Sequence, residues 1–301
     1  MKRIIRLSIV GFLVLATVAY VSVSFIIASG VTKAERKPQT DTPASYGIQF
    51  KDVEFLSRKG DVTLKGWHIA AQEGKPTVIF VHGISSNRSG DEAVDLASRL
   101  ARMGFGSILF DLRAHGDSGG ERISGGYFER EDMLGAFDFL VRNGVSHYSI
   151  GVIGKSMGAG TAILGAAEEP KIHAVVADST YANVSELVAY ETARKTSVPE
   201  WIAPIFVPGA KLEARAIYRI DIGALVPEKA VEQIAYPILV IHGSADERIP
   251  LSHGQRVYQA AKPGSALWLV PNVGHVEAFK TYPNDYTERI STYFLSRLSV
   301  Q

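Results

Sequence analysis

The stretch "GVIGKSMGAG", residues 151–160, is a short apolar run that breaks into small residues. Two readings compete for it. Gly154-Lys155-Ser156 is the tail of a phosphate-binding P-loop, whereas Gly154-Lys155-Ser156-Met157-Gly158 is the G-x-S-x-G turn that presents a serine between a strand and a helix. A P-loop needs a glycine five residues before Gly154, and that position holds Ser149. The residues between, Ile150 to Ile153, have the character of a strand and not of a glycine-rich loop. "SILFD" (107–111) imitates the acidic strand end that holds magnesium, but it precedes the motif, opposite to the order expected of the pair. The serine turn asks for small residues two positions to either side of a strained serine, and Gly154 and Gly158 supply them. Gly160 leaves further room for the new helix to approach a sheet.

The surroundings of the motif repeat its pattern. "TVIFV" (77–81), "SILFD" (107–111), "IGVIG" (150–154), "AVVAD" (174–178), "ILVIH" (238–242) and "ALWLV" (266–270) are short runs, apolar on both faces, that suit central strands of a parallel sheet. Helix patterns at 91–103, 130–143, 158–167, 251–261 and 281–298 fall between or after them. Ahead of these, Ile48–Leu56 and Val62–Ile69 read as an antiparallel hairpin turning at Arg58-Lys59-Gly60-Asp61. The alternation predicts an α/β fold with a mostly parallel, doubly wound sheet. Residues 181–235 hold no clear strand but several aromatics and prolines, among them Tyr190, Trp201, Phe206, Pro204 and Pro208. So long a structureless loop is improbable in a compact domain, and the interval is expected to be an inserted helical cap over a site, with a helical excursion packed on the side of the sheet as the alternative.

A serine hydroxyl is a poor nucleophile until a base takes its proton, and the base needs an acid to hold its tautomer. In this class of fold the three follow the order serine, acid, histidine, each just beyond the C-terminal end of a strand. Asp246 follows "ILVIHGS", and His275 follows "ALWLVPNVG".

Together "FVHGISSNRS" (80–89), "LFDLRAHGDSGG" (109–120), "GKSMGAG" (154–160), "ADST" (177–180), "ILVIHGSADERIP" (238–250) and "NVGH" (272–275) resemble the alpha/beta-hydrolase superfamily. The likeness is to its small membrane-anchored or secreted members, esterase-like and related to the S9 and S33 serine peptidases, and it extends from about Gly47 onward. It implies Ser156 as nucleophile, His275 as general base and then acid, and Asp246 as the orienting carboxylate. It also implies an oxyanion hole from the backbone N–H groups of Ile84 and Met157. The activity implied is cleavage of carboxylic esters or related acyl bonds; a peptidase, thioesterase or acyltransferase on the same residues, or a binding protein that keeps only the fold, are the alternatives. Some relatives take their acid from the position of Asp178, but "HGSADERIP" matches the usual acid loop more fully. Asp111, Arg113, His115 and Asp117 are expected to form a structural hydrogen-bonded loop in which Ala114 replaces a common glycine. His82 is expected to shape the oxyanion loop without transferring protons, and Lys155 to be a rim or surface charge. For His68, His147, His173, His242 and His253 core or surface roles are the default.

The first segment sets the compartment. Leu7–Thr32 carries no charge. As a helix it would run about 39 Å, enough for a hydrocarbon core of ~30 Å. A secreted form after signal-peptide cleavage near Ala28-Ser29-Gly30 is the alternative, but the run exceeds the roughly 7–15 residues of a signal core. Lys2, Arg3 and Arg6 crowd its leading edge, so residues 1–6 are expected in the cytoplasm, 7–32 as a transmembrane signal-anchor, 33–47 as a linker and 48–301 as an extracytoplasmic hydrolase domain. After Pro38 acidic residues slightly outnumber basic ones, which excludes the basic surplus of nucleic-acid binders. The chain has no cysteine, so disulfides and thiolate chemistry are excluded. No histidine pair has zinc-hydrolase spacing, and neither a metal nor a cofactor is implied. The expected partners are a lipid-like or other small acyl substrate, or a peptide, and the membrane itself.

Overall fold

The computed structural model describes residues 2–298. Helix α1 (Lys2–Val31) leads into a single turn of 3₁₀ helix at Pro43–Tyr46. The hairpin follows as β1 (Lys51–Leu56) and β2 (Thr63–Ile69), paired antiparallel. Next come β3 (Thr77–Val81), α2 (Ala93–Arg102), β4 (Gly106–Phe110), α3 (Glu129–Arg142), β5 (Ile150–Lys155), α4 (Met157–Glu168) and β6 (Val175–Asp178). Helices α5 (Val188–Lys195), α6 (Ala203–Tyr218) and the short α7 (Pro227–Ala230) precede β7 (Leu239–Gly243). The chain closes with α8 (Leu251–Ala260), β8 (Ala266–Val270), α9 (Ala278–Thr281) and α10 (Pro283–Arg297).

The eight strands form one sheet in the order β1-β2-β4-β3-β5-β6-β7-β8. It is antiparallel from β1 to β4 and parallel from there to β8. Strands β3 to β7 are buried along their whole length because alternate side chains enter two separate cores. Ile79, Val81, Val152, Val175 and Val240 meet Met133 and Phe137 of α3, Ile163 of α4 and Val257 of α8. Val78, Phe80, Ile153, Val176 and Ile241 meet Leu96 and Leu100 of α2 and Tyr286, Ile290 and Phe294 of α10 on the other face. Each such fully buried side chain is worth roughly 1.5–3 kcal/mol against exposure, so both faces hold the strand ends in place.

The chain divides into two compact units. One combines the N-terminal segment to Lys33 with Val184–Ala224; the other combines Ala34–Asn183 with the described residues from Leu225 onward. The interval expected as a cap, about 181–235, extends beyond the Val184–Ala224 part of the first unit at both ends. Tyr181 is buried and its hydroxyl donates to the Gly125 carbonyl at 2.7 Å, while Glu228 of α7 donates its N–H to Ala182 and binds Arg256 of α8. Residues 34–47, within the stretch 33–47 expected as a linker, are bonded to the second unit. Arg36 donates to the carbonyls of Gly116 and Gly120 at 2.8 Å each, and Gln39 donates to Asp111 at 3.1 Å. Asn87 donates to the Lys37 and Pro38 carbonyls in turn.

Candidate active site

Parallel strands of matched length end level with one another. Val81 of β3 lies beside Gly154 of β5, Lys155 beside Asp178 of β6, and Gly243 of β7 beside Val270 of β8. The loops that leave these ends share one crevice of the sheet, where open α/β folds bind ligands. Ser156 leaves β5 with φ 56° and ψ −119°, a conformation in the sparsely populated half of the map, and its N–H donates to the Asp178 carbonyl. The turn closes only with glycines around it. A Cβ on Gly154 would collide with the Gly158 carbonyl, and one on Gly158 with the Val81 carbonyl.

The three residues selected from the sequence meet here. Ser156 Oγ lies 2.8 Å from His275 Nε2, and His275 Nδ1 lies 2.7 Å from Asp246 Oδ2. The Asp246 side chain is fully buried, and its other oxygen accepts the N–H groups of Arg248 and Ile249 at 3.0 and 2.8 Å. A carboxyl group so held is aimed at the imidazole, which leaves Nδ1 to donate to it and Nε2 to face Ser156 Oγ. The loops carrying the acid and the histidine are tied together: Ala245 donates to the Val273 carbonyl at 3.0 Å, and Asn272 N–H to Ser244 Oγ at 2.8 Å.

The two amides expected to face an oxyanion lie on adjacent loops, at the start of α4 and just past β3. Among the described residues, neither Ile84 N–H nor Met157 N–H has an intramolecular acceptor. His82 anchors the first of these loops. Its Nδ1 donates to the Gly83 carbonyl at 2.8 Å while Nε2 accepts the Leu112 N–H at 3.0 Å, which requires the neutral Nδ1–H tautomer. Burial holds this imidazole below its ordinary value, against the pull of Asp111. Both nitrogens are committed, as expected of a residue that shapes the loop.

Lys155 is not the rim or surface charge expected from the sequence. It is 4% exposed. Its ammonium lies 5.4 Å over the Phe279 ring and 5.8 Å over Tyr286, and donates to the Asp91 carbonyl. Asp91 in turn accepts the Gly83 N–H at 3.3 Å, so the lysine reaches the loop of Ile84 through one intervening residue. Successive strand residues point to opposite faces, and Lys155 thereby turns from Ser156 into the core.

Asp178 is bonded elsewhere than to His275. It accepts Tyr286 Oη at 2.9 Å and Ser179 Oγ at 3.1 Å, and Ser179 Oγ accepts the Val276 N–H. Burial raises the Asp178 carboxyl, opposed first by Lys155, and raises the Tyr286 phenol well above its ordinary value. The carboxylate thus braces the residue after His275. His242 is the neighbour that sequence reasoning leaves without a role. Fully buried, it lies 3.4 Å from Asp246 and donates to the Ile249 carbonyl at 2.9 Å, on the same carboxylate that holds His275. Its spacing in "IHGSAD" is the one signal that points to it.

The loop after β4 takes the expected structural part. Asp111 accepts Arg88 N–H at 2.8 Å, the Arg88 side chain at 3.0 Å and Asp117 N–H at 2.9 Å, while Asp132 grips Arg113. Ala114 sits at φ 60°, the left-handed region that favours glycine. Among the described residues, no group of three or more His, Asp or Glu is set to hold a metal ion.

Fold and site together define an α/β hydrolase, and comparison with known proteins agrees. A family model described as serine aminopeptidase, S33, matches residues 72–221. The Pyrococcus furiosus esterase Pf2001 superposes with a TM-score of 0.73 at 27% identity, covering 89% of this chain and 98% of that one. YqkD, an uncharacterized protein of Bacillus subtilis, is 28% identical over 270 residues, 87% of this chain and 85% of its own length. The lysophosphatidylserine lipase ABHD12 of Xenopus tropicalis is 26% identical over 75% of this chain and 62% of its own. The chain has the fold of the alpha/beta-hydrolase superfamily and is similar to that family model and to these relatives.

Proposed function

We propose that this protein is a serine hydrolase that cleaves carboxylic esters or related acyl bonds through a covalent acyl-enzyme. The observation that carries the reading is the unbroken line from Ser156 Oγ to His275 at 2.8 Å and from His275 to Asp246 at 2.7 Å. His275 Nε2 takes the Ser156 proton as Oγ attacks the carbonyl carbon, and Asp246 stabilises the imidazolium. Negative charge forms on the carbonyl oxygen, where the N–H groups of Ile84 and Met157 receive it; such a donor typically contributes about 10²- to 10³-fold in rate. His275 then protonates the leaving alcohol, and water, deprotonated by the same imidazole, releases the acid.

Likeness to an esterase and to a lysophosphatidylserine lipase favours an ester of a lipid-like acyl group. The helix Ile4–Val31, with a mean hydropathy of 2.4, is long and apolar enough to cross a membrane. We read it as a signal-anchor with the amino terminus in the cytoplasm and the hydrolase domain outside. The serine aminopeptidase family model favours a second substrate class, aminoacyl amides.

Ser156→Ala is expected to lower kcat on a p-nitrophenyl ester by on the order of 10⁴-fold or more and to abolish labelling by a fluorophosphonate. An unchanged rate in a folded variant would end the proposal. A panel of esters of increasing chain length beside aminoacyl amides separates the two substrate classes.

A further inference from the structure

Helix α1 is bare along most of its length and packed at its end. From Leu7 to Ala19 every side chain is exposed, whereas Ser24, Ile27 and Ala28 are buried. At ~1.5 Å per residue, the bare stretch beyond Arg6 is about 20 Å long. A hydrocarbon core is ~30 Å thick. If α1 spans a bilayer, the next two turns, Tyr20 to Ile26, must also lie within the hydrocarbon.

Those turns are where α6 docks. The Tyr20 ring lies 5.3 Å from Phe206, Ser24 Oγ donates to the Phe206 carbonyl at 3.4 Å, and the Gly209 N–H donates to Tyr20 Oη at 3.1 Å. Glycine at 209 is required for this approach, because a Cβ there would collide with Ser24. The first turns of α6 are thus fixed at the depth of residues 20–24 of the span.

The free side of α6 suits that depth. Ile205 and Leu212 are 61% and 68% exposed, Pro204 and Pro208 are exposed between and beside them, and Trp201 just ahead of the helix is 79% exposed. The surface continues on α1 itself through exposed Val21, Phe25 and Ile26. Backbone donors in hydrocarbon must be satisfied internally. Prolines at 204 and 208 have no N–H to satisfy, and Gly209 gives its own to Tyr20. Charge lies at the margins of this face: Glu200 is exposed just before Trp201, Lys211 is half-buried and donates to Ser185, Glu213 is half-buried, and Arg215 and Arg219 are exposed in the last turns, as on helices that lie at a headgroup boundary.

We propose that the Trp201–Leu212 face of α6 is immersed in the lipid bilayer beside the C-terminal part of α1, with Arg215 and Arg219 at the headgroups. The inference rests on the reading of α1 as a membrane span. Anchor and cap would then form one lipid-contacting unit.

The absence of cysteine makes the test direct. Single cysteines in the full chain, Ile205→Cys, Leu212→Cys, Val14→Cys on bare α1 and Tyr148→Cys on an exposed turn before β5, are labelled with an environment-sensitive fluorophore. The proteins are placed in vesicles of phosphatidylcholine with phosphatidylglycerol. Labels at 205 and 212 are expected to be quenched by doxyl-lipid to the extent seen at 14, and by aqueous iodide several-fold less than at 148. If 14 is quenched by lipid while 205 and 212 answer to iodide, α6 lies in water and the inference fails with the anchor intact. Access of neither quencher to 205 and 212 would mean a protein partner, such as a second copy, and also overturns it. If 14 itself escapes doxyl-lipid, the anchor reading fails and takes the inference with it. Circular dichroism of each labelled chain checks that it is folded.

Discussion

Two connections leave neighbouring strands of the same sheet and treat their apolar residues in opposite ways. Between β5 and β6 the chain turns at Ser156 straight into α4, whose residues from Met157 to Ala166 are all buried. Between β6 and β7 it passes through α5 and α6, where Trp201, Ile205, Leu212 and Ile217 are all more than half exposed. The first connection lays its apolar surface on the sheet; the second belongs to a unit built with the N-terminal helix. Both helices α4 and α6 are rich in Ala, but α6 also carries Lys211, Glu213 and Arg215, whereas α4 has one charged residue, Glu168. The partner available within the fold differs as well.

The comparison can be broken most severely at the turn into α4. Gly158→Val would drive a side chain into the Val81 carbonyl, a backbone atom that cannot step aside. No folded protein is expected on purification of that variant; recovery of native circular dichroism would show that the turn relaxes. Ile163→Ala, at a fully buried position of α4, should destabilise by about 2–5 kcal/mol in urea unfolding of the detergent-solubilised chain.

A pH profile sharpens the same contrast. His82 is held neutral by burial, so the folded chain binds its proton less readily than the unfolded chain, whose imidazole titrates near ~6.5. This contribution to stability is complete above about pH 6.5 and is lost as the pH falls below it, by at most about 1.4 kcal/mol per pH unit. His82→Gln, which cannot titrate, is expected to give a shallower loss of stability between pH 7 and pH 5 than the parent chain. An identical slope in the two would exclude His82 as a contributor. The smallest effect is expected on the other connection: Ile217→Ser, beyond the proposed lipid face and more than half exposed, should leave the free energy of unfolding in urea within about 0.5 kcal/mol of the parent.

Much of the hydrolase unit is legible in the amino-acid order. Runs such as "TVIFV" and "ILVIH" are apolar at every position because both faces of a central parallel strand are covered, and they form β3 and β7 within a residue. Ser156, Asp246 and His275 are legible because chain order and strand ends are linear properties of the sequence, and the crevice follows from parallel topology. Lys155 misleads for a related reason. Its place next to Ser156 suggests the rim, but neighbouring strand residues face opposite sides, and its ring neighbours Phe279 and Tyr286 come from more than a hundred residues away. The brace from Asp178 through Ser179 to Val276, and His242 against Asp246, are equally out of reach, since each depends on side chains meeting across loops and not on local pattern.

By itself, then, the amino-acid order determined that this chain would fold as a parallel α/β sheet behind a long apolar helix, with a serine on a glycine-flanked turn. Period, spacing and small residues at fixed offsets act locally and survive in the linear code. Tertiary structure alone decided that the residues from Val184 to Ala224 join the apolar helix in one unit, that residues 34–47 are tied to the Asp111 loop, and that Lys155 is buried. Those outcomes turn on which surfaces come within a few ångströms of one another, and contact between distant segments leaves no periodic trace in the sequence.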